Sequence, residues 1–178
     1  PCLLGIIIAS DQINLEIFTL FTLGAITMRS AGCIINDIID RNLDKKTVRT
    51  KDRPLANEQL TLKEAYYFLL FLLIIALLIL IKLNQIVIIL GLAIIPLIVL
   101  YPYMKRITYF PQLFLGIIFN WGVLMGYASI KNTLDPEIFF LYVACIFWTI
   151  GYDTIYAHQD KKTDVKIGIK STAILFGK

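Results

Sequence analysis

The stretch AYYFLLFLLIIALLILIKLNQIVIILGLAIIPLIVLYPYM, residues 65–104, carries one charged side chain, Lys82, in about 40 positions. A helix needs about 20 apolar residues to cross the ~30 Å hydrocarbon core of a bilayer. The run is therefore two spans long, and its single break, Lys82-Leu83-Asn84-Gln85, supplies a tight turn between two crossings. Pro96 and Pro102 fall within or at the end of the second crossing, where neighbouring helices absorb such kinks. Outward from this hairpin, further candidate spans run from about Ile13 to Ile35, interrupted by Arg29, from about Phe110 to Ile130, and from Ile138 to Ala157. The expected fold is all-α: a polytopic transmembrane helix bundle of about five complete spans and a partial one. The chain opens on Pro1 with only about ten apolar residues before Asp11, and it stops at Lys178 as another apolar run begins. The expectation is one transmembrane domain, residues 1–178, truncated at both ends.

Composition agrees. Of 178 residues, 58% are hydrophobic and 17% charged, and the mean hydropathy is +0.74. Soluble domains carry roughly a quarter charged residues, so a soluble globular domain, a disordered chain, a coiled coil and a disulfide scaffold are all excluded. The three cysteines, Cys2, Cys33 and Cys145, lie in apolar stretches without CxxC spacing, and the only histidine, His158, has no partner at ligand spacing. Tyr66, Tyr67, Tyr101, Tyr103 and Tyr109 lie near span ends and read as interfacial anchors.

The net charge is +4, with a sequence pI near 9.0, but this does not point to nucleic acid. Residues 41–53 hold Arg41, Lys45, Lys46, Arg49, Lys51 and Arg53; residues 105–106 add two more basic side chains and residues 161–170 add four. The alternate connections hold only Lys82 and Lys131. Twelve against two, alternating with each crossing, is a positive-inside signal that places the basic loops on the cytoplasmic or mitochondrial matrix side. Asp44 and Asp160 are separated by four crossings, so both open on that same face.

They belong to two acidic clusters. In Asn36-Asp37-Ile38-Ile39-Asp40-Arg41-Asn42-Leu43-Asp44, the side chains of Asn36, Asp40 and Asp44 recur every four residues and stack on one side of a helix. Asp160 and Asp164 repeat the spacing, and Asp153 stands about two turns deeper. The offsets of Arg29, Asn36 and Asp40 (0, 7 and 11) equal those of Asp153, Asp160 and Asp164, as a four-helix unit used twice would produce. Like charges one turn apart repel, and acids at a helix C-terminus oppose its dipole. A bland reading remains, in which solvated carboxylates are offset by the neighbouring basic residues. The functional reading is that ionisable groups at membrane depth line a cavity or pathway. Mg²⁺ is usually held by one or two carboxylates, several waters and substrate phosphates. Two acid-bearing helices facing one another suit two Mg²⁺ ions around a diphosphate. Arg41, Lys105, Arg106, Lys166 and Lys170 are candidates for its remaining oxygens. An apolar gap between spans suits a hydrocarbon tail, so the deduced substrate is an isoprenoid diphosphate.

The stretch Arg29 to Asp44, followed by Arg49-Thr50-Lys51-Asp52-Arg53-Pro54-Leu55, resembles the first signature of the UbiA-type intramembrane prenyltransferases. That family's NDxxDxxxD motif falls on Asn36, Asp37, Asp40 and Asp44, and its DxxxD motif on Asp160 and Asp164. Tyr152 to Gly177 and Tyr101-Pro102-Tyr103-Met104-Lys105-Arg106 are most similar to the branch that prenylates 4-hydroxybenzoate in ubiquinone synthesis. The resemblance implies a bundle of about nine spans in full length, with Mg²⁺ held by Asn36, Asp40, Asp44, Asp160 and Asp164. It implies a polyprenyl diphosphate bound by Asn36, Arg41, Lys105, Arg106 and Lys170, and transfer to the ring carbon ortho to the hydroxyl of 4-hydroxybenzoate. Asp40, Asp153, Asp160, Asp164 and Arg29 are the candidate catalytic residues. Among them, Asp153 would tune the hydroxyl or assist proton removal, and Arg29 would pair with the benzoate carboxylate or with Asp153. The partners implied are these two substrates and the lipid bilayer, in a bacterial or mitochondrial inner membrane. Two competing readings stand beside this one: a relative with another acceptor (haem, a chlorophyllide or a naphthoate), and a divalent-cation transporter. The transporter's acids belong near the bilayer centre, whereas these lie at span ends.

Overall fold

A computed structural model describes residues 1–12 and 14–177. In chain order the helices are α1 (Cys2–Ala9), α2 (Leu15–Asp44), α3 (Leu62–Leu80), α4 (Gln85–Ala93), α5 (Ile95–Ile107), α6 (Pro111–Lys131), α7 (Pro136–Ala157), α8 (Lys161–Ile167) and α9 (Thr172–Phe176). Among the described residues, five segments are long and apolar enough to cross a membrane: α2, α3, α4 with α5, α6 and α7. They coincide with the five complete spans expected from the sequence, and the chain is an integral membrane protein. The proposed start of the first, Ile13, lies outside the described residues.

The ends of these helices are written in the sequence. Asn14 caps α2 by accepting from the Ile17 amide at 3.1 Å, and Thr61 and Glu64 form a reciprocal capping box that starts α3. At the expected hairpin, Asn84 accepts from the Val87 amide at 3.0 Å to start α4, and its Nδ2 donates to the Ala128 carbonyl at 2.7 Å. Pro96 lies at the start of α5, where its missing N–H is tolerated, and it splits the third span into α4 and α5. Proline also opens α6 and α7.

The bundle is organised around α6. Lipid tails are as apolar as leucine, so helices in a membrane associate through close packing and internal hydrogen bonds rather than hydrophobic exclusion. Both devices are present. At the α1–α6 crossing, a Cβ added to Gly5 would lie 2.1 Å from the Val123 carbonyl oxygen, and one added to Gly126 would lie 2.1 Å from that of Cys2. Only glycine permits that approach. Between α6 and α7, the buried Asn120 donates to Thr149 Oγ1 at 2.7 Å and to the Cys145 carbonyl at 3.1 Å. Phe71, Phe140 and Trp148 face outward, as lipid contact requires.

Two details depart from the expected layout. The first span does not stop at Ile35: α2 continues without interruption to Asp44, carrying the whole first acidic cluster on one helix. The second cluster is not on one helix, because α7 ends at Ala157 and a turn at 158–160 reorients the chain into α8. Asp153 is thus on α7, Asp160 in the turn and Asp164 on α8.

Candidate active site

The C-terminal end of α2 projects carboxylates where the helix dipole is negative, an arrangement that needs counter-charge. It comes from two directions. Asp40, fully buried, is ion-paired with Lys105 and accepts from Arg106 Nη2 at 3.2 Å, both on the last turn of α5. Arg53, from the connection between α2 and α3, donates to Asp37 at 2.7 Å and to Asp44 at 3.1 Å. That connection is a folded cap rather than a loose loop: Thr47, Thr50, Leu55 and Ala56 are buried, and Arg41 donates to the Leu55 carbonyl at 3.1 Å.

The same cap reaches the second cluster. Arg49 meets Asp160 at 2.6 Å, donates to the Tyr156 hydroxyl at 3.3 Å, and lies over the Tyr156 ring at 5.4 Å. Its bond with Asp160 holds the guanidinium charged well into alkaline conditions. A contact spanning 111 residues of sequence therefore brings the two acidic clusters to one end of the bundle. Asp164, one turn on, makes no side-chain hydrogen bond among the described residues. Burial, reinforced by the neighbouring Asp160, pushes its carboxyl above the usual carboxylate range, while Lys105 and Arg49 pull it back down.

A third wall is formed by residues 168–172, which fold back against α5 and α6. The Lys170 amide donates to the Lys105 carbonyl at 2.8 Å, and the Thr172 amide donates to Gln112 Oε1 at 3.2 Å. Between these elements lies a cleft of about 240 Å³ walled by Asn36, Asp44, Arg49, Arg53, Tyr101, Lys105, Gln112, Asp153, Asp160, Asp164 and Lys170, among others.

The sequence pattern of the UbiA prenyltransferase family matches the chain over residues 1–178. The chain belongs to that family. The mitochondrial 4-hydroxybenzoate polyprenyltransferase of Bos taurus is 49% identical over 180 residues, covering 99% of this chain and 48% of that protein. The 4-hydroxybenzoate octaprenyltransferase of Shewanella woodyi is 42% identical over 179 residues, covering 100% of this chain and 63% of that one. The chain thus spans about half the length of the mitochondrial relative it matches. Among solved structures, an apo UbiA homolog from Aeropyrum pernix aligns with a TM-score of 0.86 at 27% identity, over 99% of this chain and 67% of that one. A UbiA homolog from Archaeoglobus fulgidus bound to GPP and Mg²⁺ aligns with a TM-score of 0.79 at 17% identity, over 99% of this chain and 63% of that one, a likeness of fold.

Within this UbiA cleft the residues singled out from sequence divide. Asn36, Asp44, Asp153, Asp160, Asp164, Lys105 and Lys170 line it together. Asp40 does not line it, being sealed beneath Lys105 and Arg106. Arg106 faces a neighbouring groove with Ile39 and Gly168. Arg41 turns away, toward Leu55 and Glu58. Arg29 sits exposed on α2 with its guanidinium 6.0 Å from the Phe119 ring centre, and among the described residues it forms no ion pair with Asp153. The sequence reading missed Arg49 and Arg53 as site groups, counting them only as loop charge. It took Tyr101 for an interfacial anchor, whereas Tyr101 lines the cleft, and it passed over Gln112. Among the described residues no three carboxylate, Cys or His side chains form a cage for a metal ion. The donor set is oxygen from Asn and Asp, spread around a cleft with cations between, which suits a hard ion completed by water and phosphate rather than a closed protein site.

Proposed function

We propose that the protein transfers a polyprenyl group from polyprenyl diphosphate to the carbon ortho to the hydroxyl of 4-hydroxybenzoate, releasing diphosphate. The observation that carries this reading is the meeting of Asn36 and Asp44 with Asp160 and Asp164 around one cation-lined cleft at the end of an apolar bundle. The names of the similar enzymes support the choice of acceptor, and the Mg²⁺ and GPP of a structural neighbour support a metal-assisted diphosphate site.

In this reading Asn36, Asp44, Asp160 and Asp164 would hold Mg²⁺, with Asp40 behind them tethering Lys105 to the same wall. Bound there, Mg²⁺ would neutralise the diphosphate and stabilise the charge gathering on its departing oxygen. Arg49, Arg53, Lys105 and Lys170 bind the remaining phosphate oxygens. The bond between the allylic carbon and the diphosphate oxygen breaks, with the electron pair leaving on diphosphate. The ring carbon then forms the new carbon–carbon bond with the allylic carbon, and its proton passes to the departed diphosphate. Asp153, on the cleft wall and without a side-chain partner among the described residues, accepts a hydrogen bond from the acceptor hydroxyl and raises the electron density of the ring. The apolar bundle keeps water from the allylic cation. The chain acts as one transmembrane domain, its cleft facing the cytoplasm or mitochondrial matrix from an inner membrane.

The test is a prenylation assay on the purified protein in lipid, with 4-hydroxybenzoate and a polyprenyl diphosphate, with and without Mg²⁺. Magnesium-dependent formation of 3-polyprenyl-4-hydroxybenzoate is expected. Prenylation of a naphthoate or haem in place of 4-hydroxybenzoate, or metal uptake into vesicles without diphosphate, contradicts the proposal.

A further inference from the structure

Gln112 occupies the first turn of α6 and is 5% exposed, yet it lines the cleft. One end of its carboxamide is committed: Oε1 accepts from the Thr172 amide at 3.2 Å, and the Thr172 hydroxyl is joined to that of Thr154 on α7 at 2.6 Å. A backbone N–H requires the oxygen opposite it, so this contact fixes which way round the amide lies. Nε2 then carries two N–H donors, and among the described residues it has no acceptor. No side-chain nitrogen or oxygen closed off from solvent is left without a partner among the described residues, so Nε2 opens onto the cleft. A donor held in one orientation, bonded to nothing else in the described residues and open to the cleft is free to be taken up by a ligand.

The chemistry of the cleft says what that is. The diphosphate end has its cations, and the acceptor hydroxyl has Asp153. The remaining oxygens, at the opposite end of the aromatic ring, are those of the carboxylate, which accepts hydrogen bonds and needs donors. Arg49, Arg53, Lys105 and Lys170 are taken up by the phosphate oxygens, and Arg29, beside Phe119, does not line the cleft. A neutral amide of fixed orientation donates to a carboxylate without drawing the metal-binding acids toward it.

We propose that Gln112, oriented by Thr172, donates from Nε2 to the carboxylate of the aromatic acceptor and so selects acceptors with a hydrogen-bond-accepting group para to the hydroxyl. This rests on the prenyltransferase reading above.

Gln112→Glu tests it, because the variant keeps an oxygen for Thr172 and replaces the donors with an acceptor. Calorimetric titration and steady-state kinetics should show the Kd and KM for 4-hydroxybenzoate rising about tenfold to a hundredfold, the size of a lost hydrogen bond to a charged group. KM for the prenyl diphosphate should stay unchanged, and selectivity should shift toward 4-hydroxybenzamide, whose amide can donate to the new carboxylate. Gln112→Met, which gives up both bonds at similar volume, should weaken 4-hydroxybenzoate without the gain for the benzamide. If wild-type protein neither binds nor prenylates 4-hydroxybenzoate, the prenyltransferase reading falls and takes this inference with it. If wild type prenylates it and the variants leave affinity and selectivity unchanged, or weaken both substrates equally, only the role of Gln112 is overturned.

Discussion

The rim of the cleft and its inner wall are built on opposite plans. At the rim every acid of the first cluster, and Asp160 of the second, is matched to a cation: Asp40 with Lys105 and Arg106, Asp37 and Asp44 with Arg53, Asp160 with Arg49. On the inner wall Tyr101 and Asp153 make no side-chain hydrogen bond among the described residues, and beside it, on the first turn of α6, Gln112 uses only its oxygen. A neutralised rim suits a ligand that brings its own charges of both signs, because metal and phosphate can exchange with the resident pairs at little net change in buried charge. An unpaired inner wall suits a ligand that must be read by hydrogen bonds, since unmade bonds are where recognition energy resides.

The largest effects should come from breaking the rim. Asp160→Asn or Asp44→Asn should lower kcat/KM about a hundredfold to a thousandfold, and chelation of Mg²⁺ should abolish turnover in a steady-state assay. Near-normal rates in both variants would falsify the rim as a metal site. On the inner wall, Asp153→Asn should cost about a hundredfold in kcat while leaving prenyl diphosphate affinity intact in a binding titration; a parallel loss of that affinity would erase the division between the two regions. Arg49→Gln should raise KM for the prenyl diphosphate roughly tenfold, the size expected for a charge-assisted contact, with KM for the aromatic acid unchanged. Smallest of all is Arg41→Ala: its guanidinium faces Leu55 and Glu58, so kinetic constants for both substrates should stay within about twofold, the usual reach of a surface substitution.

Much of the bundle was legible because a span is a matter of length and oiliness, and residues 65–104 leave no other reading. The acidic clusters were legible too, since carboxylates at that depth stand out against 58% apolar composition. Which side chains face the cleft was not. A transmembrane helix is apolar toward lipid and toward its neighbours alike, so there is no solvent contrast to show that Tyr101 points inward while Tyr67 points out. The pairing of Asp40 with Lys105, and the reach of Arg49 to Asp160, join residues 65 and 111 positions apart. Such contacts come from how the helices and the 45–61 cap pack, which no local spacing encodes. Arg41 and Arg49 are equivalent as loop charges in sequence, yet only Arg49 lies on the cleft.

The most direct measurement is equilibrium binding of an unreactive prenyl diphosphate analogue to the protein in lipid, titrated with and without Mg²⁺ in wild type, Asp44→Asn and Asp160→Asn. If the acids of α2 and those following α7 grip one metal-bound diphosphate, binding should require Mg²⁺ and each substitution alone should remove most of that requirement. Binding that ignores Mg²⁺, or that depends on one cluster and is indifferent to the other, would contradict a shared site.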